Sequence, residues 1–212
     1  KKFLLLLMIP FLLSQCTDDD HKDVKHQMEI NKKNAQNETQ EIIKKINTSV
    51  KEAVPAEILK LMRQHKNDQF PIRKFDVSVY KNRIKQNAKL LSSVLLLNKI
   101  LNKISTQEDC AKLIQLVKHD KDTATIPLEI REKMAEILEA HIDGPFPLES
   151  ISTKEIETEI FNDKLALVTE TKFNGIINGA SKQFYDEFLE TLELANSAEK
   201  SNTNTMDKSS EK

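Results

Sequence analysis

The sequence predicts an all-α protein: a compact bundle of six or seven helices with a disordered N-terminal tether and a disordered C-terminal tail. Three observations carry this. Apolar residues recur at three- and four-residue steps through the middle of the chain, which is the spacing of one helix face. Three glycines in 212 residues are too few for the turns of a β-sandwich, a Rossmann turn or a phosphate-cradling loop. A chain that is 31% charged and 39% hydrophobic suits a soluble helical domain rather than a polytopic membrane protein. Lys+Arg 32 against Asp+Glu 33 leaves a net charge of -1, which removes the electrostatic footprint of a nucleic-acid binder.

The elements follow in order. Ile42, Ile43, Ile46, Val50 and Val54 mark a first helix. Pro55 suits the opening turn of a second, where its missing N–H is not needed. That helix carries Ile58, Leu59, Leu61 and Met62 and stops near Asn67-Asp68. A third is expected from about Arg73 to Ile104, with Phe75, Val79, Ile84, Ala88, Leu91 and Leu95 on its stripe. Its stretch from Leu90 to Leu97 is apolar nearly all round, so it belongs at the centre of the bundle. Lys85, Lys89 and Lys99 bracket too short an apolar run for a membrane span.

Ser105-Thr106-Gln107-Glu108 matches a capping box and opens a short helix through Leu113 and Val117. A polar loop follows over 120–126, and Pro127 starts the next helix, with Ile130, Met134, Ile137 and Leu138. Gly144-Pro145 reads as a left-handed cap and stop, and Phe146-Pro147-Leu148 as an extended apolar link. Ser152-Thr153-Lys154-Glu155 is a second capping box, ahead of Ile156, Ile160, Leu165 and Val168. The last helix covers about Thr171 to Ala195, with Phe173, Ile176, Ile177, Phe184, Phe188, Leu189 and Leu192 on its stripe. Asn174-Gly175 and Asn178-Gly179 interrupt it. Either they kink it, with both glycines on one face for close helix approach, or they break it into two. No fixed repeat and no sustained heptad seam is present.

The two ends differ from the body. Lys1-Lys2 is a short basic region, and Phe3 to Leu13 (FLLLLMIPFLL) is an apolar run of eleven residues. A spanning helix needs about 20, so this is the hydrophobic region of a secretory signal over 1–15. Residues 16–35 are polar and without period, the composition of a flexible tether. Residues 197–212 form a tail by the same test, leaving 36–196 as the helical domain. Asp18, Asp19, Asp20, His21 and His26 are read as a solvated leader rather than a metal site.

Leu13-Ser14-Gln15-Cys16 resembles a bacterial lipobox, in which the cysteine is lipidated and becomes the new N-terminus. Gln15 departs from the usual Gly, Ala or Ser; spirochaetal lipoproteins carry looser boxes. Lipidation at Cys16 would anchor the chain, each buried CH₂ contributing about 0.8 kcal/mol. Loss of Lys1 and Lys2 would take the formal charge from -1 to -3. Cys110 would then have no partner for an intrachain disulfide, and is read as a small buried apolar residue.

Catalytic signatures are not found. The sequence holds no Gly-x-Ser-x-Gly, no Walker-type loop, no His-Glu-x-x-His and no Cys-x-x-Cys. His65, His119 and His141 sit near expected helix ends, where a cation is favoured by about 0.3–1 kcal/mol. Glu132, Glu136 and Glu139 share a helix with Arg131 and Lys133, but without the Glu-x-x-His of a di-iron bundle. No enzyme, cofactor or metal is expected. Lys81, Arg83, Lys85 and Lys89 form a basic strip on the third helix, a weak candidate for an anionic polysaccharide or an acidic protein surface.

The short leucine-rich signal, loose lipobox, polar tether and helical body, with Lys far exceeding Arg and with abundant Ile and Asn, resemble the surface lipoproteins of Lyme and relapsing-fever spirochaetes. The likeness is specific over the first 35 residues and stylistic beyond them. It implies a lipid-anchored, surface-exposed protein of the outer membrane, often a homodimer, that binds a host or vector protein or glycosaminoglycan. A periplasm-facing envelope protein with a structural role is the alternative.

Overall fold

Six helices occur among the described residues, which in the computed structural model are 18–101, 104–119 and 126–206. They are α1 (Asp18–Gln64), α2 (Ser78–Leu101), α3 (Gln107–His119), α4 (Leu128–Ala140), α5 (Lys154–Ile177) and α6 (Lys182–Met206). No strand occurs among the described residues. The chain clusters into two compact units, one of Lys1–Ile46 with Arg83–Ile160 and one of Asn47–Asn82 with Phe161–Lys212. The expected all-α class is what the structure has; several boundaries differ.

α1 is longer than its apolar period suggests. It begins at Asp18, inside the stretch expected to be tether, and it continues through Pro55. The polar run hides a helix because Lys, Gln, Glu and Met are good helix formers that leave no apolar stripe. Ala35 is buried there, and Glu38 pairs with Lys99 of α2 at 2.8 Å. Pro55 removes one backbone N–H from the helical ladder. Val54, Leu59 and Met62 are buried on either side of it, and at about 1.5–3 kcal/mol per buried apolar side chain their packing outweighs the lost bond. The two helices expected to meet at Pro55 are therefore one.

The first unit is centred on α2. Leu91, Val94, Leu95, Leu96, Leu97, Ile100 and Leu101 are buried, as an all-round apolar segment requires. α3 packs against α4, burying Leu113, Val117, Met134 and Leu138. Thr106, one residue after the expected Ser105, caps α3, its hydroxyl accepting the Asp109 N–H at 3.1 Å. Pro127 flanks α4, and its carbonyl accepts the N–H groups of Ile130 and Arg131. α4 ends at Ala140 without a left-handed residue. Gly144 is needed for space instead, since a Cβ there would stand 2.9 Å from the His141 carbonyl oxygen. The 146–151 link is held to α2 by Asn98, whose side chain donates to the Ile151 carbonyl and accepts its N–H, both at 2.8 Å.

The second unit is built on Leu59, Met62, Phe173, Ile177, Tyr185 and Leu189, with Phe70 and Phe75 packed against them. α2 starts at Ser78, not near Arg73. Asn174 takes both backbone groups of Phe75, which keeps 73–77 out of the helix. Asp76 accepts the Ser78 N–H, and hydrogen bonding from the Ser78 backbone, then its side chain, holds the carboxyl below the ordinary range.

The expected last helix is broken at Gly179 and not at Gly175. α5 runs on to Ile177, and Gly179 has φ 76, the left-handed value of a helix C-terminus. Ser181 then accepts the Phe184 N–H and caps α6, which extends to Met206, past the expected start of the tail. Nothing stands within 4 Å of a Cβ built at Gly175 or Gly179, so neither serves close helix approach.

Candidate functional site

Within α2, Lys81, Lys85 and Lys89 recur every four residues, as the expected basic strip requires, but the strip is divided. Lys81 falls in the second unit; Arg83, Lys85 and Lys89 fall in the first. Lys89 pairs with Glu129 of α4, and Arg83 is engaged as well. Lys89 borders a groove of about 610 Å³ whose far wall is Glu129, Glu132, Lys133 and Glu136. An anionic ligand entering there meets three carboxylates beside two ammonium groups, so the field does not favour it. Those glutamates lie some forty residues downstream in sequence, and no local pattern places them opposite Lys89.

A second hollow in the first unit, about 290 Å³, has Leu101, Leu138 and Leu148 as its floor and His141, Glu149 and Ser150 at its rim. The His141 Nδ1 lies 2.8 Å from the Ile137 carbonyl. A carbonyl only accepts, so Nδ1 carries the hydrogen and this histidine closes the end of its own helix.

The second unit has the more distinctive surface. A groove of about 490 Å³ runs along the α5–α6 turn, over Gly175, Gly179 and Ala180 and against Phe184 and Phe188. The two rings stack with centroids 6.0 Å apart and planes 7° apart, and Phe184 is 49% exposed. At its edge, Lys74 donates to the Asn178 side-chain oxygen at 2.7 Å. Phe188 packs against the core cluster, so Phe184 is the ring that an apolar group from a partner could meet. Both phenylalanines lie on the apolar stripe expected of the last helix; Phe188 packs against the core as that stripe implies, and Phe184 does not. Ser181, three residues before Phe184, is the local signal that a new helix starts there.

The remaining candidates are structural. His65 follows α1, sets its Nδ1 2.6 Å from Asp68, and packs between Phe75 and Phe173 at 5.6 and 5.4 Å. Its role is wider than the helix-end charge expected of it. Cys110 is buried with its Sγ 3.8 Å from the Leu138 carbonyl, and burial pushes the thiol up from its ordinary value. Among the described residues no group of three His, Cys, Asp or Glu is arranged to hold a metal. Cys16 lies outside the described residues, as do the side chains of Asp18, Asp19, Asp20, His21 and His26. No described helix is long and apolar enough to cross a membrane. Comparison with protein families, curated proteins and solved structures finds no match.

Proposed function

We propose that this chain is a bacterial outer-surface lipoprotein, anchored by lipid on Cys16, whose helical body binds a host or vector macromolecule without catalysing a reaction. The carrying observation is the arrangement Lys1-Lys2, Phe3 to Leu13, Leu13-Ser14-Gln15-Cys16. It sets a basic pair, an apolar run too short to span a bilayer and a cysteine in the order that lipoprotein export and acylation use. Acyl chains on that cysteine would hold the protein at the membrane. The half-exposed Phe184 ring, stacked on the core-packed Phe188, supports macromolecular binding, since aromatic side chains anchor protein interfaces.

Mass spectrometry of the mature N-terminus tests the anchor. Acyl mass on Cys16 is the expected result, and a free amine at another residue overturns it. Protease treatment of intact cells tests the placement. Loss of the helical body supports the outer surface, whereas protection assigns the protein to the periplasmic side and an envelope role. Retention of a serum protein that Phe184→Ser abolishes would support the binding reading; equal retention would remove the aromatic pair from it.

A further inference from the structure

The second unit contains the same dipeptide twice, Asn174-Gly175 and Asn178-Gly179, in opposite chemical situations. In an asparagine followed by glycine, the glycine N–H faces no Cβ of its own residue and can approach the asparagine side-chain carbon. Whether it does so depends on what holds each group.

Asn174 is held on every side. Its residue and Gly175 both lie inside α5, where the Gly175 N–H belongs to the helical ladder. Its side chain is occupied twice, by the Phe75 N–H at 2.8 Å and the Phe75 carbonyl at 2.9 Å. Rotation of that amide toward its own backbone would break both bonds.

Asn178 is held on one side only, and in a way that activates it. It and Gly179 are exposed, just past the end of α5. The Gly179 N–H makes no hydrogen bond among the described residues. Nothing stands within 4 Å of where a Gly179 Cβ would be, and the turn over Asn178 and Gly179 is closed by one bond, from the Ala180 N–H to the Ile177 carbonyl at 3.3 Å. The single bond to the Asn178 amide is from the Lys74 ammonium to Oδ1, at 2.7 Å. A cationic donor on a carbonyl oxygen draws electron density from the carbon and stabilises the oxyanion that forms when a nucleophile adds, which is oxyanion-hole chemistry.

We propose that Asn178 is a self-modification site, at which Lys74 promotes intramolecular deamidation while Asn174 is protected. The Gly179 backbone nitrogen attacks the Asn178 Cγ, forming a C–N bond as its N–H proton passes to water. The negative charge builds on Oδ1 under Lys74. The C–NH₂ bond then breaks, the departing nitrogen takes a proton, and ammonia leaves a five-membered imide. Water opens the imide at either carbonyl, giving aspartate or isoaspartate at position 178. No oxidant or reductant is involved. The product carboxylate faces Lys74 and adds a negative charge at the edge of the Phe184 groove.

The test uses the full chain aged in neutral buffer. Both asparagines fall in one tryptic peptide, between Lys172 and Lys182, so tandem mass spectrometry reads them together and each sample carries its own control. Conversion at Asn178 with Asn174 intact is expected. Lys74→Met should slow the conversion about fivefold, the size of one exposed charge-assisted bond, and Lys74→Arg should keep it near the original rate. Gly179→Ala should slow it further by blocking approach of the nitrogen. Equal conversion at Asn174, or an unchanged rate in Lys74→Met, overturns the proposal. A circular-dichroism spectrum of each variant separates a change in chemistry from a loss of fold: slow conversion in a variant with native helicity supports the Lys74 role, and the Asn174 to Asn178 ratio in the unmodified chain decides the selectivity independently.

Discussion

Asn174 closes a ring of hydrogen bonds on Phe75, accepting its N–H at 2.8 Å and donating to its carbonyl at 2.9 Å. A helix-borne amide thereby does for an irregular segment what a neighbouring strand does in a sheet. Both backbone groups are part-buried and have no helical partner, so they depend on this one side chain.

Removing the amide therefore has a definite cost. Asn174→Ala should destabilise the second unit by about 2 kcal/mol, at about 1 kcal/mol per bond. Asn174→Asp keeps an acceptor for the N–H but sets a carboxylate against the Phe75 carbonyl, and should fare no better. Urea unfolding measures both; a midpoint unchanged in Asn174→Ala would show that water replaces the amide freely.

Tyr185 gives a prediction in pH. Its ring is buried and its hydroxyl donates to the Met62 carbonyl at 2.7 Å. Burial, then the carboxylates of Asp68 and Asp186, push its pKa from 10.0 up to about 12. The neutral phenol is the form the folded state favours. Its contribution is fully present below pH 10 and declines as pH rises toward about 12, because the unfolded chain loses its proton first. Stability should fall across that window in the native protein and fall less in Tyr185→Phe. At neutral pH the same variant should lose about 1–2 kcal/mol, having left the Met62 carbonyl unpaired. Denaturant melts at a series of pH values separate the two effects.

Cys110 should behave as a core residue. Burial raises its pKa, and the thiolate is the reactive form, so a thiol reagent should label it only as the protein unfolds. Cys110→Ala should cost about 1 kcal/mol for the small void. Cys110→Ser should cost about 1–3 kcal/mol, unless the new hydroxyl bonds the Leu138 carbonyl. Labelling rates followed against urea concentration check the first statement, and unfolding midpoints the others.

The two glycines near the end of α5 should respond with opposite signs. Gly175 is helical with open space around it, so Gly175→Ala should stabilise by about 0.5–1 kcal/mol. Gly179 has equal space but φ 76, and Gly179→Ala should cost about 1–2 kcal/mol in backbone strain. Thermal unfolding of the pair isolates backbone conformation from packing, because neither new methyl meets a neighbour.

What could be read from the sequence was what repeats along it. The all-round apolar stretch Leu90–Leu97 announces a buried segment of α2, and Leu91 and Ser93 to Leu97 are buried. Cys110 in an amphipathic pattern announces a core thiol, and it is one. Boundaries escaped where a distant residue decides them. Phe75 has the period of a helix residue, yet Asn174, 99 positions away, takes its backbone bonds. The first capping box is offset by one residue, Thr106 and not Ser105 capping α3; at the second, Ser152 accepts the Lys154 N–H while the Thr153 hydroxyl bonds the Glu157 side chain. Serine and threonine side by side give no local basis for choosing. The basic strip was legible as a pattern on α2, whereas the Glu129 that answers Lys89 was not. The exposure of Phe184 was not legible, because it shares its apolar stripe with Phe188 and Leu189, which do face the core.

The polar beginning of α1 changes how an anchored form of this protein would stand on a membrane. Cys16 precedes Asp18, the first helical residue among those described, by two positions. A coil of that composition would let the body wander and approach the lipid surface. A helix rises 1.5 Å per residue, so the run from Asp18 to the buried Ala35 spans about 25 Å. With lipid on Cys16, the chain would enter a helix within two residues of its anchor, so its direction there would be set by peptide geometry and not by the wandering of a polar coil.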